Sequence, residues 1–406
     1  MFKLFKTKIK NNVIEENERI KGALFGYFVG DALGVPVEFV ERDILKRKKV
    51  TTMLEYGTHN QPIGTWSDDS SMVIATIDSL NNNKSINYNN IMDNFFKWYT
   101  NGEYTPDGKV FDIGNVTSSV LSKYKKDNTN FMCGSNDIYS NGNGSLMRIL
   151  PIALYLHYTN DPIFDVISNI SSMTHAHIYS ILSCIIYSVL INECLKDSNI
   201  KKAYANMQQI IKNILEDDSN KVLGNLDDLK QKFNRIIYND ISNLNEKDIK
   251  SSVFVIDSLE ACIWCLLNTN NYKDAVIKAV NLGDDTDTIG ALTGGLAGLV
   301  YGYNNIPKEW INVLKRREYL INLVDKFNKL IDSLKSKSTI YMWQNSLGDM
   351  NKYLNSENPI SKKDKKANTD SWKCIPFSNY KKIDCNIVLT QDELKILSMG
   401  HIPEVM

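Results

Sequence analysis

Two stretches decide how this chain folds: Gly22–Gly34, GALFGYFVGDALG, and Gly290–Gly302, GALTGGLAGLVYG. Glycine recurs every four residues in both, at 22, 26, 30 and 34 and again at 290, 294, 298 and 302. Residues four apart share a helix face, so each segment predicts a helix with one side bare of side chains. Glycine inside a helix costs about 1 kcal/mol relative to alanine. Four per helix need an offsetting gain, and close approach of another helix supplies one. Gly-x-x-x-Gly is also a membrane-helix pattern, and residues 288–307 are uncharged and about long enough to span a bilayer. Against a membrane span, Asp284, Asp285 and Asp287 abut that segment, and Thr, Tyr and Asn interrupt it. The first glycine helix also carries Lys21 and Asp31. Packing inside a soluble core is the better reading.

Outward from these helices, the pattern from Arg19 to about Asn328 is mostly helical, with Gly/Asn/Asp loops between apolar segments. Examples are Ile74–Leu80, Ile91–Tyr99, Leu146–Leu156, Ile178–Leu195, Val253–Leu267 and Tyr272–Asn281. Few segments alternate strictly enough to be strands, so the fold class is all-α. Residues 196–250 are polar with helical spacing and read as a peripheral excursion. Residues 1–18 are a charged, Asn-rich lead-in, 19–330 the main domain, and 331–406 an extension with a solvated basic linker at about 355–371.

Composition excludes several function classes. The 406 residues carry 47 Lys+Arg and 47 Asp+Glu, so no global basic field exists to collect nucleic acid or anionic membrane. Met1–Lys10 is basic but no apolar stretch follows it, and the seven cysteines are an odd number. A reduced, cytoplasmic setting is the expectation. Cys262-Ile-Trp-Cys265 is a lone CxxC in an apolar helical run, which reads as core rather than as zinc or redox chemistry.

Three constellations carry chemistry. In Gly64-Thr-Trp-Ser67-Asp68-Asp69-Ser-Ser-Met72, one acidic or hydroxyl residue would suffice to cap the helix that follows. Two adjacent carboxylates exceed that need, and they repel unless a cation sits between them. The second, Gly283-Asp284-Asp285-Thr286-Asp287-Thr288, opens the second glycine helix. All these donors are hard oxygens, suited to Mg²⁺, Mn²⁺ or Ca²⁺ rather than zinc or copper. Together the two sets supply enough ligands for two bridged metals roughly 3.5–4 Å apart. The third, Asn141-Gly142-Asn143-Gly144-Ser145 before an apolar helix, suits a pyrophosphate, because glycine lets backbone amides approach. Thinner candidates are Glu38 after the first glycine helix, the Asp112–Thr117 segment with Gly114 and Asn115, and His175.

In that order, Gly22–Phe39, GTWSDDSSM at 64–72, Asp112–Thr117, Asn141–Arg148, Thr174-His175 and Leu282–Gly302 resemble the motif series of the ADP-ribosylglycohydrolases. The resemblance spans roughly residues 19–330. It implies a compact multi-helix fold, a centre of two Mg²⁺ or Mn²⁺ ions, and hydrolysis of the bond at the anomeric carbon of ADP-ribose. Carried over by motif, Ser67, Asp68, Asp69, Asp285, Asp287 and Thr288 are the metal ligands. Glu38, Asp69 and Asp285 are the implied catalytic residues. Asp112, Gly114, Asn115, Asn141, Gly142, Asn143, Gly144, Ser145 and His175 line the ADP-ribose cleft. The implied partner is an ADP-ribosylated protein, modified on arginine or serine, or a small ADP-ribose conjugate. Ser67 stands where threonine is usual, and Asp284 where a second glycine is frequent. A catalytically inactive ADP-ribose binder and a metal-dependent phosphoesterase are the alternatives, and the intact acids argue against the former.

Overall fold

A computed structural model describes residues 14–124, 130–217 and 224–335. The expectations for residues 1–13 and 336–406, including the linker at about 355–371, lie outside the described residues. Within them run α1 (Glu16–Gly34), α2 (Arg42–Arg47), α3 (Asp68–Asn83), α4 (Tyr88–Asn101), α5 (Asn115–Tyr124), α6 (Leu150–Leu156), α7 (Ile163–Ser172) and α8 (Ile178–Lys196). There follow α9 (Ile200–Glu216), α10 (Leu226–Lys232), α11 (Asn234–Ile237), α12 (Val255–Leu267), α13 (Tyr272–Val280), α14 (Thr286–Tyr301), α15 (Lys308–Val313) and α16 (Arg317–Lys335). No strand occurs among the described residues, only isolated bridges such as Gly142 with Phe254. The all-α expectation holds.

The glycine stripes explain the centre. Helices α1 and α14 pack antiparallel, backbone against backbone. A methyl group placed on Gly26 would lie 2.3 Å from the Gly294 carbonyl oxygen, and one on Gly30 would lie 2.1 Å from that of Gly290. Gly22 faces Gly298 in the same way, and Gly34 faces the backbone of Asp287. The antiparallel sense matters: the C-terminal end of α1 meets the N-terminal end of α14, so the segment around Asp31–Glu38 lands beside Asp285–Thr288.

Burial shows that the long apolar helices are core elements. Two helical segments, Glu16–Val37 and Ile178–Lys196, are long and apolar enough to cross a membrane, but 94% of the most apolar 18-residue window in each is buried within this chain. Cys262 and Cys265 are both free and buried, consistent with core packing. The 196–250 region is less peripheral than its polarity suggests. Ile210, Ile211, Ile214, Leu229, Phe233 and Ile236 are all buried, so α9–α11 lay an apolar stripe on the body and turn the polar one outward. The Leu146–Leu156 segment is helical only from Leu150, because a 3-10 turn at Asn143–Ser145 and an irregular stretch precede it. Near the start of α1, the Asn17 amide donates to Asp332 of α16 at 3.1 Å, and Lys335 donates to the Asn17 side-chain oxygen at 2.9 Å.

Gly26→Ala tests the central contact. Better helix propensity offers about 1 kcal/mol. Overpacking against a backbone carbonyl that has no rotamer to yield costs about 3 kcal/mol or more and outweighs it. Chemical denaturation should show Gly26→Ala destabilised by about 2 kcal/mol or more. Gly114→Ala, with nothing within 4 Å of an added Cβ, should stay within about 0.5 kcal/mol of the parent.

Candidate metal centre and cleft

The site forms where three helix ends converge: the C-terminus of α1 and the N-termini of α3 and α14. Ser67 is the N-cap of α3, and its hydroxyl accepts from the Asp69 amide at 3.2 Å. Capping and site-building therefore coincide in one residue. Asp69 is buried and heavily bonded: its carboxylate accepts from the hydroxyls of Ser67 and Thr288, each at 3.2 Å, and from Tyr27 at 3.2 Å. The Thr288 bond joins the two sequence clusters directly, across 219 residues. Asp68 is buried beside it.

On the α14 side, Asp287 Oδ1 accepts from the Thr288 amide at 2.9 Å. Asp287 Oδ2 is buried with no partner. Asp285 accepts from the Asn143 side-chain amide, and its own backbone amide donates to the Ser251 carbonyl at 3.0 Å. Carboxylate oxygens of Glu38, Asp285 and Asp287 lie within 4.8 Å of one another. A second such group joins Glu38, His59 and Asp112. Glu38 is the shared member of both, and its carboxylate meets His59 Nε2.

The electrostatics follow from burial. Removing carboxylates from water penalises the charged form, and crowding them adds mutual repulsion. Desolvation pushes Glu38 up to about 7, although the hydrogen bond from His59 opposes it. It raises Asp285 to about 6, opposed by the Asn143 bond, and drives Asp68, Asp69 and Asp287 well above the usual carboxylate range. So many oxygens held near one another, with one of them unpartnered, fit a site built around divalent cations. The donor set of carboxylates and hydroxyls is that of a hard ion such as Mg²⁺ or Mn²⁺.

The cleft residues divide into two groups. Gly114 and Asn115 are exposed, and Asp112 is partly buried in the left-handed region at φ 49°. Asn143 serves the acids, bridging Asp285 and the Ser258 hydroxyl, the latter at 2.9 Å. Gly142 has room beside its Cα, whereas a methyl on Gly144 would press on His175 Cε1 at 2.8 Å. His175 is buried, receives or donates a bond with Thr174 Oγ1 at 2.8 Å, and is pushed down to about 3 by desolvation. It therefore backs the Gly142–Gly144 turn as a neutral ring. Asn141 bonds to Ile138 O and Ser180, and the Ser145 hydroxyl to Ser171, so both side chains brace the loop from behind.

Several residues escaped sequence reasoning. Asp31 is fully buried, and its carboxylate accepts from the Ser67 amide at 3.0 Å and the Ser70 amide at 2.9 Å, holding the start of α3. An acid inside an otherwise apolar glycine helix was the available signal. Tyr27 lies within the first glycine helix without a pattern that marks it as a partner of Asp69, and His59 and Ser251 lie in stretches without a motif. Asp284 is exposed in the left-handed region at φ 57°, where glycine is unstrained, and accepts from the Ser251 hydroxyl at 3.3 Å.

The comparisons with known proteins bear on the family and the fold. The model of the ADP-ribosylglycohydrolase family matches residues 12–337. This chain belongs to that family. It is 31% identical over 312 residues to an ADP-ribosylarginine hydrolase of Serratia proteamaculans, covering 77% of this chain and 79% of the relative. It is 25% identical over 309 residues to the ADP-ribosyl-(dinitrogen reductase) glycohydrolase of Rhodospirillum rubrum, covering 73% and 90%. Among solved structures, an ADP-ribosylglycohydrolase-related protein superposes with a TM-score of 0.62 at 24% identity, over 78% of this chain and 99% of that one. That likeness supports the fold.

The raised carboxylates have a consequence for stability. An acid whose folded pKa exceeds its unfolded value binds more protons in the native state, so stability falls as pH rises through that window. For Glu38 the window runs from its ordinary value of 4.5 to about 7, and for Asp285 from 3.8 to about 6. Chelator-treated protein should lose melting temperature between pH 5 and pH 8, as read by scanning calorimetry. Millimolar Mg²⁺ should restore it, and by more at pH 8 than at pH 5, because cation and proton compete for the same oxygens.

Proposed function

We propose that this family member hydrolyses the bond between the anomeric carbon of ADP-ribose and a protein side chain, with arginine or serine as acceptor, and that it requires two Mg²⁺ or Mn²⁺ ions. The observation that carries the metal requirement is Asp287: its Oδ2 is buried without a partner, and one of its carboxylate oxygens lies within 4.8 Å of oxygens of Glu38 and Asp285. Ser67, Asp68, Asp69, Asp285, Asp287 and Thr288 would hold the ions. When bound, such ions neutralise crowded carboxylates, orient ribose hydroxyls and acidify a water molecule.

The chain's own residues do the rest. Gly142 leaves space for a diphosphate against the backbone, and Asp112 to Asn115 border the ribose end. Glu38, held near 7 by burial, suits a general base at neutral pH, since a proton acceptor works best when its pKa lies near the operating value. It takes a proton from water as the water oxygen bonds to the anomeric carbon; the bond to the acceptor breaks, the acceptor keeps the bonding pair, and the proton held by Glu38 is returned to it. The transition state carries positive charge on the sugar, as in other glycosyl cleavages, and the surrounding carboxylates favour it. Tyr27 and Asp31 position Asp69 and the start of α3 rather than touching substrate.

Release of ADP-ribose from arginine- and serine-linked ADP-ribosyl peptides, followed by mass spectrometry, tests this. Asp69→Ala and Asp287→Ala should retain the parental circular dichroism spectrum and lose at least about 10³-fold in turnover. EDTA should abolish parental activity and Mg²⁺ or Mn²⁺ restore it. Undiminished turnover in EDTA would sink the metal requirement, and no release from any ADP-ribosyl substrate would sink the hydrolase reading.

A further inference from the structure

Beside the acids stands a row of aromatic rings that the reaction described above does not use. Phe39 follows Glu38 directly. It is 59% exposed, although phenylalanine is ordinarily buried. Its backbone sits in the left-handed region at φ 60°, a strained choice for a bulky residue. Two hydrogen bonds hold that conformation in place: the Phe39 amide donates to the Asp284 carbonyl at 2.7 Å, and the Asp284 amide donates to the Val40 carbonyl at 3.1 Å. The fold thus spends backbone strain to turn an aromatic ring toward water at the edge of the site.

Two more rings continue the row. The centroid of His59 lies 6.3 Å from that of Phe39 and 5.3 Å from that of Phe111. Phe111 is partly buried and immediately precedes Asp112. The loop bearing His59 is seated firmly. The Thr58 hydroxyl donates to the Glu38 carbonyl at 2.6 Å, and Gly57 lies so close to Pro36 that a Cβ would meet the Pro36 carbonyl oxygen. The rings therefore have fixed places, flanked by two carboxylates, Glu38 and Asp112.

The rings are tilted by 59° and 48° to their neighbours, so the row offers separate faces and edges beside carboxylates, a setting that suits a planar cation. Aromatic faces attract a planar cation, and arginine's guanidinium stacks on them better than an ammonium does. The neighbouring carboxylates supply the opposite charge. An O-linked serine side chain carries neither a cation nor an N–H donor, so it gains nothing from either. We propose that Phe39, His59 and Phe111 form a shelf that receives the guanidinium of an ADP-ribosylated arginine and so favours arginine over serine as acceptor. This rests on the hydrolase reading and names its substrate class. Phe39 and Phe111 are specificity-determining, while His59 joins them and also fixes Glu38.

The experiment compares the parent with Phe39→Leu, Phe111→Leu and Phe39→Tyr, as full chains in Mg²⁺. Their kcat/KM is measured on arginine- and serine-linked ADP-ribosyl peptides, and ADP-ribose affinity is measured by calorimetry. Both leucine variants should lower kcat/KM on the arginine substrate about tenfold, mainly through KM, as expected for losing one cation–π contact. ADP-ribose affinity should not change, and Phe39→Tyr should restore the parental value. Unchanged arginine kinetics, an equal loss on the serine peptide, or a weakened ADP-ribose affinity would each overturn the shelf. So would a parent that cleaves only the serine substrate, although the hydrolase reading would survive that result. Agmatine binding, followed by NMR in the presence of ADP-ribose, separates the two claims. Agmatine binding that Phe39→Leu weakens supports the shelf even if no peptide is cleaved, and no agmatine binding to the parent rejects it.

Discussion

The structure depends on two backbones touching. Where α1 and α14 cross, glycine faces glycine at Gly22–Gly298, Gly26–Gly294 and Gly30–Gly290, and no side chain separates the helices. Close packing of this kind gives many dispersion contacts per turn, which offsets the conformational cost of so many helical glycines. Its larger effect is geometric. A side chain at any of these positions would push the helices apart by ångströms, and Glu38 and Asp31 would move away from Asp285 and Asp287 by a similar amount. Metal–oxygen distances tolerate only a few tenths of an ångström. The bare stripe therefore sets the spacing that the chemistry needs.

That spacing brings an electrostatic burden with it. Asp31, Glu38, Asp68, Asp69, Asp285 and Asp287 are all buried within one region, and no salt bridge to lysine or arginine is found for any of them among the described residues; His59 alone meets Glu38. Uncompensated burial of charge is among the costliest arrangements a protein can adopt. The fold moderates it locally. Asp31 takes its bonds from amides at the start of α3, Asp69 from three hydroxyls, and Asp285 from Asn143. Helix N-termini at α3 and α14 add partial positive charge close to the acids. What is left over is the demand that divalent cations would meet.

Much of this could be read from the residues alone, and the reason is spacing. The glycines repeat at the helical interval, and the acids come in pairs at helix starts, so each announces a face or a site without knowledge of the fold. Asn143 was recognised as part of a loop but not as a partner of Asp285, because that bond joins residues 142 positions apart. Asp31, Tyr27 and His59 were harder still. Each occurs once, without periodicity, and acquires meaning only when α3 or the 57–61 loop folds over the end of α1. Apolar composition alone extends the helix over Leu146–Leu156, because it does not reveal the 3-10 turn at Asn143–Ser145 and the irregular stretch that delay its start to Leu150. The stripe on α9–α11 was legible, but not that it would pack against the body.

The hydrogen bonds tying Asn17 to Asp332 and Lys335 to Asn17 place the first and last described helices side by side. Helix α1, 19 residues long, carries the chain about 28 Å from that junction to the acids. Residues 14 and 335, the two ends of the described body, therefore lie toward the end of α1 remote from the acids. A label placed at the Asn17–Asp332 junction would sit about a helix length, roughly 28 Å, away from them.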